Sequence, residues 1–278
     1  MKFVVSRGLN TNTALTNIAQ KWADLLETSY VERTWYPNLE DMLKGEEADG
    51  ILIATMEGPQ IFTSEGLLKY HPGMAVLRAR KLEAGETDNF ITACGLKPGM
   101  KILDCTLGLG GDAAIASLVV GKTGKVEALE ASKPLWLLTA AGLATYQCDD
   151  PLLTAALRRI STQRAEAGIY LRSLEKNCFD VVYFDPMFKR PIKASSGMQP
   201  LRPVAYKEPL TREVLEEALR VAPLVVVKEH SYKVLKDLGF TEIQGTKTGS
   251  INYGILRRDN DCKEKNSGNP RTHCHRQK

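Results

Sequence analysis

The chain has no run of about 18 apolar residues anywhere in its 278, so no transmembrane helix and no membrane partner are expected. Its opening stretch, MKFVVSRGLNTNT, has too short an apolar run for a secretory signal peptide. The six cysteines, at 94, 105, 148, 178, 262 and 274, show no paired spacing, which excludes a disulfide scaffold. Cys105 and Cys178 lie in or beside apolar runs, where a free thiol behaves as a small buried apolar group. Reduced cysteines indicate a cytoplasmic protein. No large charge of one sign is present either. The net charge is +4, and residues 261–278 hold five bases against two acids, so the body of the chain is nearly neutral. A nucleic-acid site must then be a local patch. No internal repeat is visible.

What is present is an ordinary globular composition, 43% hydrophobic and 25% charged, long enough for about two domains. Residues 1–72 read as a small N-terminal α/β domain. Lys2–Val5 is a short strand. Residues 13–27 repeat Leu15, Ile18, Ala19, Trp22, Leu25 and Leu26 at helical spacing. Tyr30–Arg33 reads as a second strand, and 49–55 and 60–63 as a hairpin around Glu57-Gly58-Pro59. His71-Pro72-Gly73 marks the boundary. Residues 73–258 alternate strands and helices, with strands at 101–105, 125–130, 169–171, 179–184, 224–227, 241–244 and 251–256. Strands buried on both faces and separated by helices predict a doubly wound, mostly parallel α/β sheet. Residues 259–278 are polar and aperiodic and are expected to be a disordered basic tail.

Two segments carry chemistry. The first runs from Asp104 to Asp112, DCTLGLGGD, between a strand and a helix. Gly108, Gly110 and Gly111 permit a tight turn and close approach of a ligand, and the helix start that follows offers free N–H groups. Glu130 ends the next strand, where a carboxylate accepts from both ribose hydroxyls, with Ala131 beside it. The loop also satisfies the dinucleotide fingerprint G-x-G-x-x-G/A. Asp104 at the strand end favours S-adenosylmethionine instead, because it suits a methionyl ammonium and repels a pyrophosphate. The plain alternative is a tight turn without a ligand.

The second segment is Asp185-Pro186-Met187-Phe188, at the end of a later buried strand. An exocyclic base amine is a poor nucleophile until it pyramidalises. The Asp185 carboxylate and the Pro186 carbonyl are suited to accept its two hydrogens, and Phe188 to stack on the base. The plain reading is an Asp-Pro turn with a core phenylalanine. Lys189, Arg190, Lys193, Arg202 and Lys207 follow with no acid among residues 189–207, which suits phosphate contacts as well as an exposed basic loop. Arg78, Arg80 and Lys81, on the helical stretch 74–82, read either as a solvated face or as a second phosphate-facing patch. Lys228 ends a buried strand and reads equally as a partner of Glu229 or a substrate phosphate, or as a solvent-exposed lysine. Cys262 and His273-Cys274-His275 have irregular spacing, and no metal site is expected.

These motifs resemble the bacterial small-subunit ribosomal RNA guanine-N2 methyltransferases of the RsmJ type, a class I S-adenosylmethionine-dependent family. The similarity runs from about Met74 to Tyr253. It is carried by MAVLRARKL at 74–82, DCTLGLGGDA at 104–113, Leu129-Glu130, Arg172-Ser173-Leu174, YFDPMF at 183–188, VVVK at 225–228 and Ile251–Tyr253. The resemblance implies a Rossmann-like methyltransferase domain. It implies cofactor contacts at Gly111, Asp112, Glu130, Ala131 and Asp185, with Arg172 and Ser173 beside the adenine. Guanine N2 in ribosomal RNA or the small ribosomal subunit would be the target. Other readings stand beside it: methyl transfer to a small molecule or protein, an NAD-linked enzyme, and a non-catalytic RNA-binding protein.

Overall fold

The computed structural model describes residues 2–9, 13–186, 203, 205, 209–246 and 251–258. Two sheets organise the chain. The first has the order β2-β1-β3-β4-β5, built from β1 (Phe3–Arg7), β2 (Ser29–Tyr30), β3 (Gly50–Thr55), β4 (Gly58–Thr63) and β5 (Gly66–Lys69). Parallel pairing of β1 with β2 and β3 gives way to an antiparallel meander through β4 and β5. Helix α1 (Thr13–Leu26) buries Leu15, Ala19, Ala23 and Leu26, while Ile18 and Leu25 stay on its exposed side. The segment expected as a second strand at 30–33 divides. Only Ser29–Tyr30 pairs, and Arg33–Trp35 forms a 3-10 turn capped by the Glu32 carboxylate.

The second sheet has seven strands in the order β11-β12-β10-β9-β6-β7-β8. They are β6 (Lys101–Asp104), β7 (Lys125–Glu130), β8 (Ile160–Arg164), β9 (Val181–Phe184), β10 (Leu224–Glu229), β11 (Glu242–Gln244) and β12 (Asn252–Arg257). Neighbours from β8 to β10 run parallel, and β12 alone is antiparallel to both its neighbours. Successive side chains leave a strand on opposite faces. Val181 and Tyr183 therefore enter one core with Phe90 of α4 (Asn89–Cys94) and Ile115 of α5 (Gly111–Val120). Val182 and Phe184 enter the other, with Leu171 of α8 (Ala167–Ser173) and Leu215 of α9 (Arg212–Val221). This is the doubly wound sheet read from the sequence. One strand assignment is corrected: residues 169–171 lie in α8, and the strand is Ile160–Arg164. Its sequence, ISTQR, lacks an apolar run because it lies at the sheet edge with mostly exposed side chains.

The chain moves outward from β6 to β7 and β8, then returns to place β9 on the other side of β6. Such a reversal opens a crevice at the carboxyl ends of the strands, where α/β sheets bind ligands. Asp104 and Asp185 stand at the ends of these two central strands.

Helix α6 (Lys133–Thr145) follows β7 and joins the two sheets. It buries Leu135, Leu137 and Leu138 in one cluster with Leu52, Ile61 and Leu68 of the first sheet. Gly142 permits the closest approach. A Cβ there would lie 1.9 Å from the ring of Tyr70. The four described cysteines all carry free thiols, and no described helix is long and apolar enough to cross a membrane. The packing predicts that Gly142→Val lowers stability by about 1–3 kcal/mol, the usual cost of overpacking. Urea denaturation measures this, and an unchanged midpoint would contradict the contact.

Candidate active site

Three carboxylates meet at the ends of β6, β7 and β9. Asp104 is buried, and its Oδ1 accepts from the Thr106 N–H at 2.9 Å and the Thr106 hydroxyl at 3.4 Å. The same hydroxyl accepts from the Asp185 N–H at 2.5 Å, so Thr106 ties the two strand ends together. Glu130 Oε2 accepts from the Gly108 N–H at 3.0 Å, and its Oε1 from the Ser132 N–H at 2.8 Å. The turn between them is fixed by the left-handed Gly110 (φ 75°), where a Cβ would lie 3.4–3.5 Å from Leu107, Leu143 and Thr139. Only glycine adopts this conformation at low cost.

A cleft opens over these ends. Cys105, Gly108, Glu130, Ala131, Asp185 and Pro186 line one side, and Glu166, Ala167, Leu210 and Val214 the other. Of the residues expected to hold a cofactor, Gly108, Glu130, Ala131 and Asp185 reach the cleft. Asp104, Gly110 and Gly111 shape its floor and turn without lining it. Arg172 and Ser173 are not brought there. They are exposed at the end of α8, where the Ser173 hydroxyl donates to the Tyr170 carbonyl at 2.7 Å. Glu166 and Ala167, at the start of α8, line the cleft, with Glu166 accepting from the Gly168 and Ile169 N–H groups at 2.8 Å. Glu166 was legible only as the acid after β8, and that strand was not recognised.

Asp112 and Arg78 also depart from expectation. Arg78 turns inward from α3 (Ala75–Glu83), holding Asp88 through two nitrogens at 2.7 and 3.0 Å and Asp112 Oδ1 at 2.5 Å. It therefore has no charge to spare for a phosphate. Asp112 Oδ2 accepts from the Tyr183 hydroxyl at 2.7 Å and from Lys228 Nζ at 3.1 Å. Lys228 Nζ donates at 2.7 Å to Asp185 Oδ2, and neither Glu229 nor a solvent-facing phosphate site is its partner here. Asp185 Oδ1 is shielded from solvent and has no hydrogen-bond partner among the described residues. Arg80 and Lys81 stay exposed, near Asp149 at 4.0 Å and Glu86 at 3.5 Å. Exposed pairs of this kind contribute little. Phe188, Lys189, Arg190, Lys193 and Arg202 lie outside the described residues, as do Lys207 and the tail. No cluster with metal-ligand character occurs among the described residues.

Burial sets the protonation of the site. It pushes Asp104 up to about 7, against the Thr106 N–H. It pushes Glu130 up to about 7, against the N–H groups of Ser132, Gly108 and Ala131. It pushes Asp185 up to about 6, against the Lys228 ammonium. Burial also opposes the charge on Asp112, but Lys228 and Arg78 outweigh it and hold that carboxyl below the usual range. A pyrophosphate would meet these carboxylates at every strand end, whereas a group carrying positive charge fits them.

A doubly wound sheet with an acid-lined cleft at its switch point defines a nucleoside-cofactor enzyme that handles a cationic group. The SAM_MT model of SAM-dependent methyltransferases matches residues 67–248, and the chain belongs to this family. S-adenosylmethionine is its cofactor. A protein of Bacillus subtilis (strain 168), described as "Uncharacterized protein YpiP", is 36% identical over 222 residues, 79% of this chain and 86% of that protein. Ribosomal RNA small subunit methyltransferase J of Dechloromonas aromatica (strain RCB) is 30% identical over 207 residues, 69% of this chain and 81% of that one. A crystal structure of a SAM-dependent methyltransferase from Neisseria gonorrhoeae shares the fold, with a TM-score of 0.61 and 15% identity over 91% of this chain and 95% of that one.

The raised carboxylates fix the sign of a pH effect. A carboxyl that binds its proton more tightly folded than unfolded stabilises fully at low pH, and that stability is lost as pH rises through its folded value. Melting of the ligand-free protein should therefore fall between about pH 4.5 and 7.5 for Asp104 and Glu130. Asp112, held low, acts only below that window. Glu130→Gln should flatten the profile. A scanning-fluorimetry series checks this, and equal slopes for both proteins would refute the assignment.

Proposed function

We propose that the protein transfers a methyl group to the exocyclic N2 of guanine in small-subunit ribosomal RNA, with Asp185 as the acceptor for the amine. The observation that carries this reading is the unpartnered Asp185 Oδ1 on a residue lining the cleft. Shielded acceptors are nearly always hydrogen-bonded in folded proteins, so one left open at a strand end marks a place for a ligand donor. The relative from Dechloromonas aromatica, a ribosomal RNA small subunit methyltransferase, supports the substrate class. A ribosomal substrate also implies a cytoplasmic location.

The residues present fit the cofactor. When bound, it supplies an electrophilic methyl group on a sulfonium. Glu130, held by the Gly108 and Ser132 N–H groups, faces the cleft as an acceptor for ribose hydroxyls. Cys105, Ala131 and Leu135 give its walls an apolar character, and Glu166 and Ala167 stand at the adenine side. Asp104 adds negative charge beneath the methionyl end. Gly110, Gly111 and Asp112 support this arrangement from the loop and the first turn of α5.

At the other end, Asp185 Oδ1 and the Pro186 carbonyl accept from the two amine hydrogens and favour a pyramidal nitrogen. The nitrogen that gains a methyl gives up one proton, and Asp185 Oδ1 receives it. Positioning therefore carries much of the rate. Phe188 is proposed to stack on the guanine. The basic residues Lys189, Arg190, Lys193 and Arg202, together with the exposed Arg80 and Lys81, are proposed to meet backbone phosphates. Arg78 supports their helix from within.

Two measurements test this reading. Asp185→Ala should cut turnover about 10²- to 10³-fold while far-UV circular dichroism stays unchanged. Full activity in that variant would remove the acceptor. Nucleoside mass spectrometry of small-subunit RNA from a strain lacking the protein should show loss of N2-methylguanosine at one position. An unchanged level would exclude this target, and calorimetric binding of NAD in place of S-adenosylmethionine would exclude the cofactor.

A further inference from the structure

Beneath the cleft lies a chain of alternating charge that ends on the proposed catalytic carboxylate. It runs Asp88, Arg78, Asp112, Lys228, Asp185, with each contact between 2.5 and 3.1 Å. It crosses α4, α3, α5, β10 and the end of β9, five segments that converge only in the folded chain. Lys228 is the link that touches the proposed catalytic residue. Its side chain is 17% exposed and is shared by two carboxylates, so it is unsuited to capture a phosphate.

We infer that Lys228 is a positioning residue for methyl transfer: braced by Asp112, its ammonium grips Asp185 Oδ2 and leaves Oδ1 as the acceptor for the substrate amine. The inference rests on Asp185 having the role proposed above. An ammonium on Oδ2 does two things. It fixes the rotation of the carboxylate, and it favours the ionised form that can accept a proton. Asp112 in turn keeps the ammonium in place, because its own charge is secured by Arg78 and the Tyr183 hydroxyl.

The groups facing Asp185 have opposing effects. Lys228 favours its ionised form, as does His230 beyond the end of β10, while Asp112 opposes it. Asp104 at the end of β6 also carries like charge toward Asp185, and Tyr183 lies two residues before it on β9. Tyr253 on β12 and Arg78 on α3 act on the cluster through Lys228 and Asp112. Lys228 is the cation in direct contact. Removing it should raise the titration midpoint of Asp185 by about one pH unit or more, as expected for losing an opposite charge at this range.

The test uses the full chain as Lys228→Met and Lys228→Arg. Asp112 keeps Arg78 and Tyr183 in either variant, so the fold has partners enough to survive, and thermal melting verifies it. A ¹³C-carboxylate NMR titration follows Asp185, with its resonance assigned by its absence in Asp185→Asn. The midpoint should move to higher pH in Lys228→Met and return towards the wild-type value in Lys228→Arg. With small-subunit RNA, kcat of Lys228→Met should fall about 10-fold or more and partly recover as pH is raised. KM for S-adenosylmethionine should stay within about twofold. A merely structural role would lower the melting temperature and leave the acid limb of the rate profile in place. A midpoint in Lys228→Met that coincides with wild type would overturn the inference. A shifted midpoint in Lys228→Met, alongside a wild-type protein that leaves ribosomal RNA unmethylated, would overturn the functional reading and still support the grip of Lys228 on Asp185. If Lys228→Met does not fold, a wild-type midpoint and rate profile in Lys228→Arg supports the inference. A midpoint retained there while kcat collapses overturns it.

Discussion

The contact on which the site depends is the shared ammonium of Lys228 between Asp112 and Asp185. A buried cation between two carboxylates is costly to assemble, and losing one partner of such a pair usually costs about 3–5 kcal/mol because a charge is left uncompensated. The fold avoids this by distributing its acids and bases along one chain of contacts. Arg78 takes Asp88 and half of Asp112, Lys228 takes the other half and Asp185, and the Tyr183 hydroxyl completes Asp112. Both oxygens of Asp112 are thus satisfied, and its carboxyl stays ionised although buried. The acceptor of this series left without a partner among the described residues, Asp185 Oδ1, is at its cleft end.

Sheet topology explains why that end falls where a ligand would be. The reversal between β6 and β9 separates the helices that follow them, so the strand ends are not covered by α5. Thr106 then sets the spacing across the gap, donating to Asp104 and accepting from the Asp185 N–H. The first sheet contributes through α6. This helix begins just after Glu130-Ala131-Ser132 and is held by β4 and by the Lys133 ammonium, which reaches Glu27 at 2.6 Å and the Leu26 carbonyl at 2.8 Å. An apolar helix clamped on both sides gives the Glu130 turn a rigid base. The amino-terminal sheet thereby supports the cleft without lining it.

The doubly wound sheet was readable because buried strands such as Val181–Phe184 are continuous apolar runs, and the glycine loop and the three strand-end acids were readable from their positions. What failed was local and physical. Ile160–Arg164 is an edge strand with polar, exposed side chains, so no hydrophobic signal distinguishes it from a loop. Ile169–Leu171 is an apolar run that reads as a short strand, yet it lies in α8. Arg78 sits among bases on a helix, and charge pattern alone reads as a surface. Its partners, Asp88 and Asp112, are 10 and 34 residues away, and packing of α3 against α5 brings Asp112 within reach. Lys228 is the same case over a longer span, with Asp112 116 residues distant.

The distribution of charge bears on how a methyl donor would be held and its product released. Asp104 and Glu130 have backbone N–H donors, and Thr106 adds a hydroxyl, but no cation is paired with either in the described hydrogen bonds. The nearby cations are committed elsewhere, Arg78 to Asp88 and Asp112 and Lys228 to Asp112 and Asp185. The cleft floor therefore keeps a negative potential that its own lysine and arginine do not cancel. Such a surface attracts a ligand with positive charge and has less hold on a neutral one, because the low dielectric of a buried site magnifies the difference. A donor whose positive charge disappears when its methyl group leaves matches that potential before transfer and matches it less well afterwards. On the proposed reading, the strand-end acids select the donor, and the Lys228–Asp112 brace reserves Asp185 for the amine.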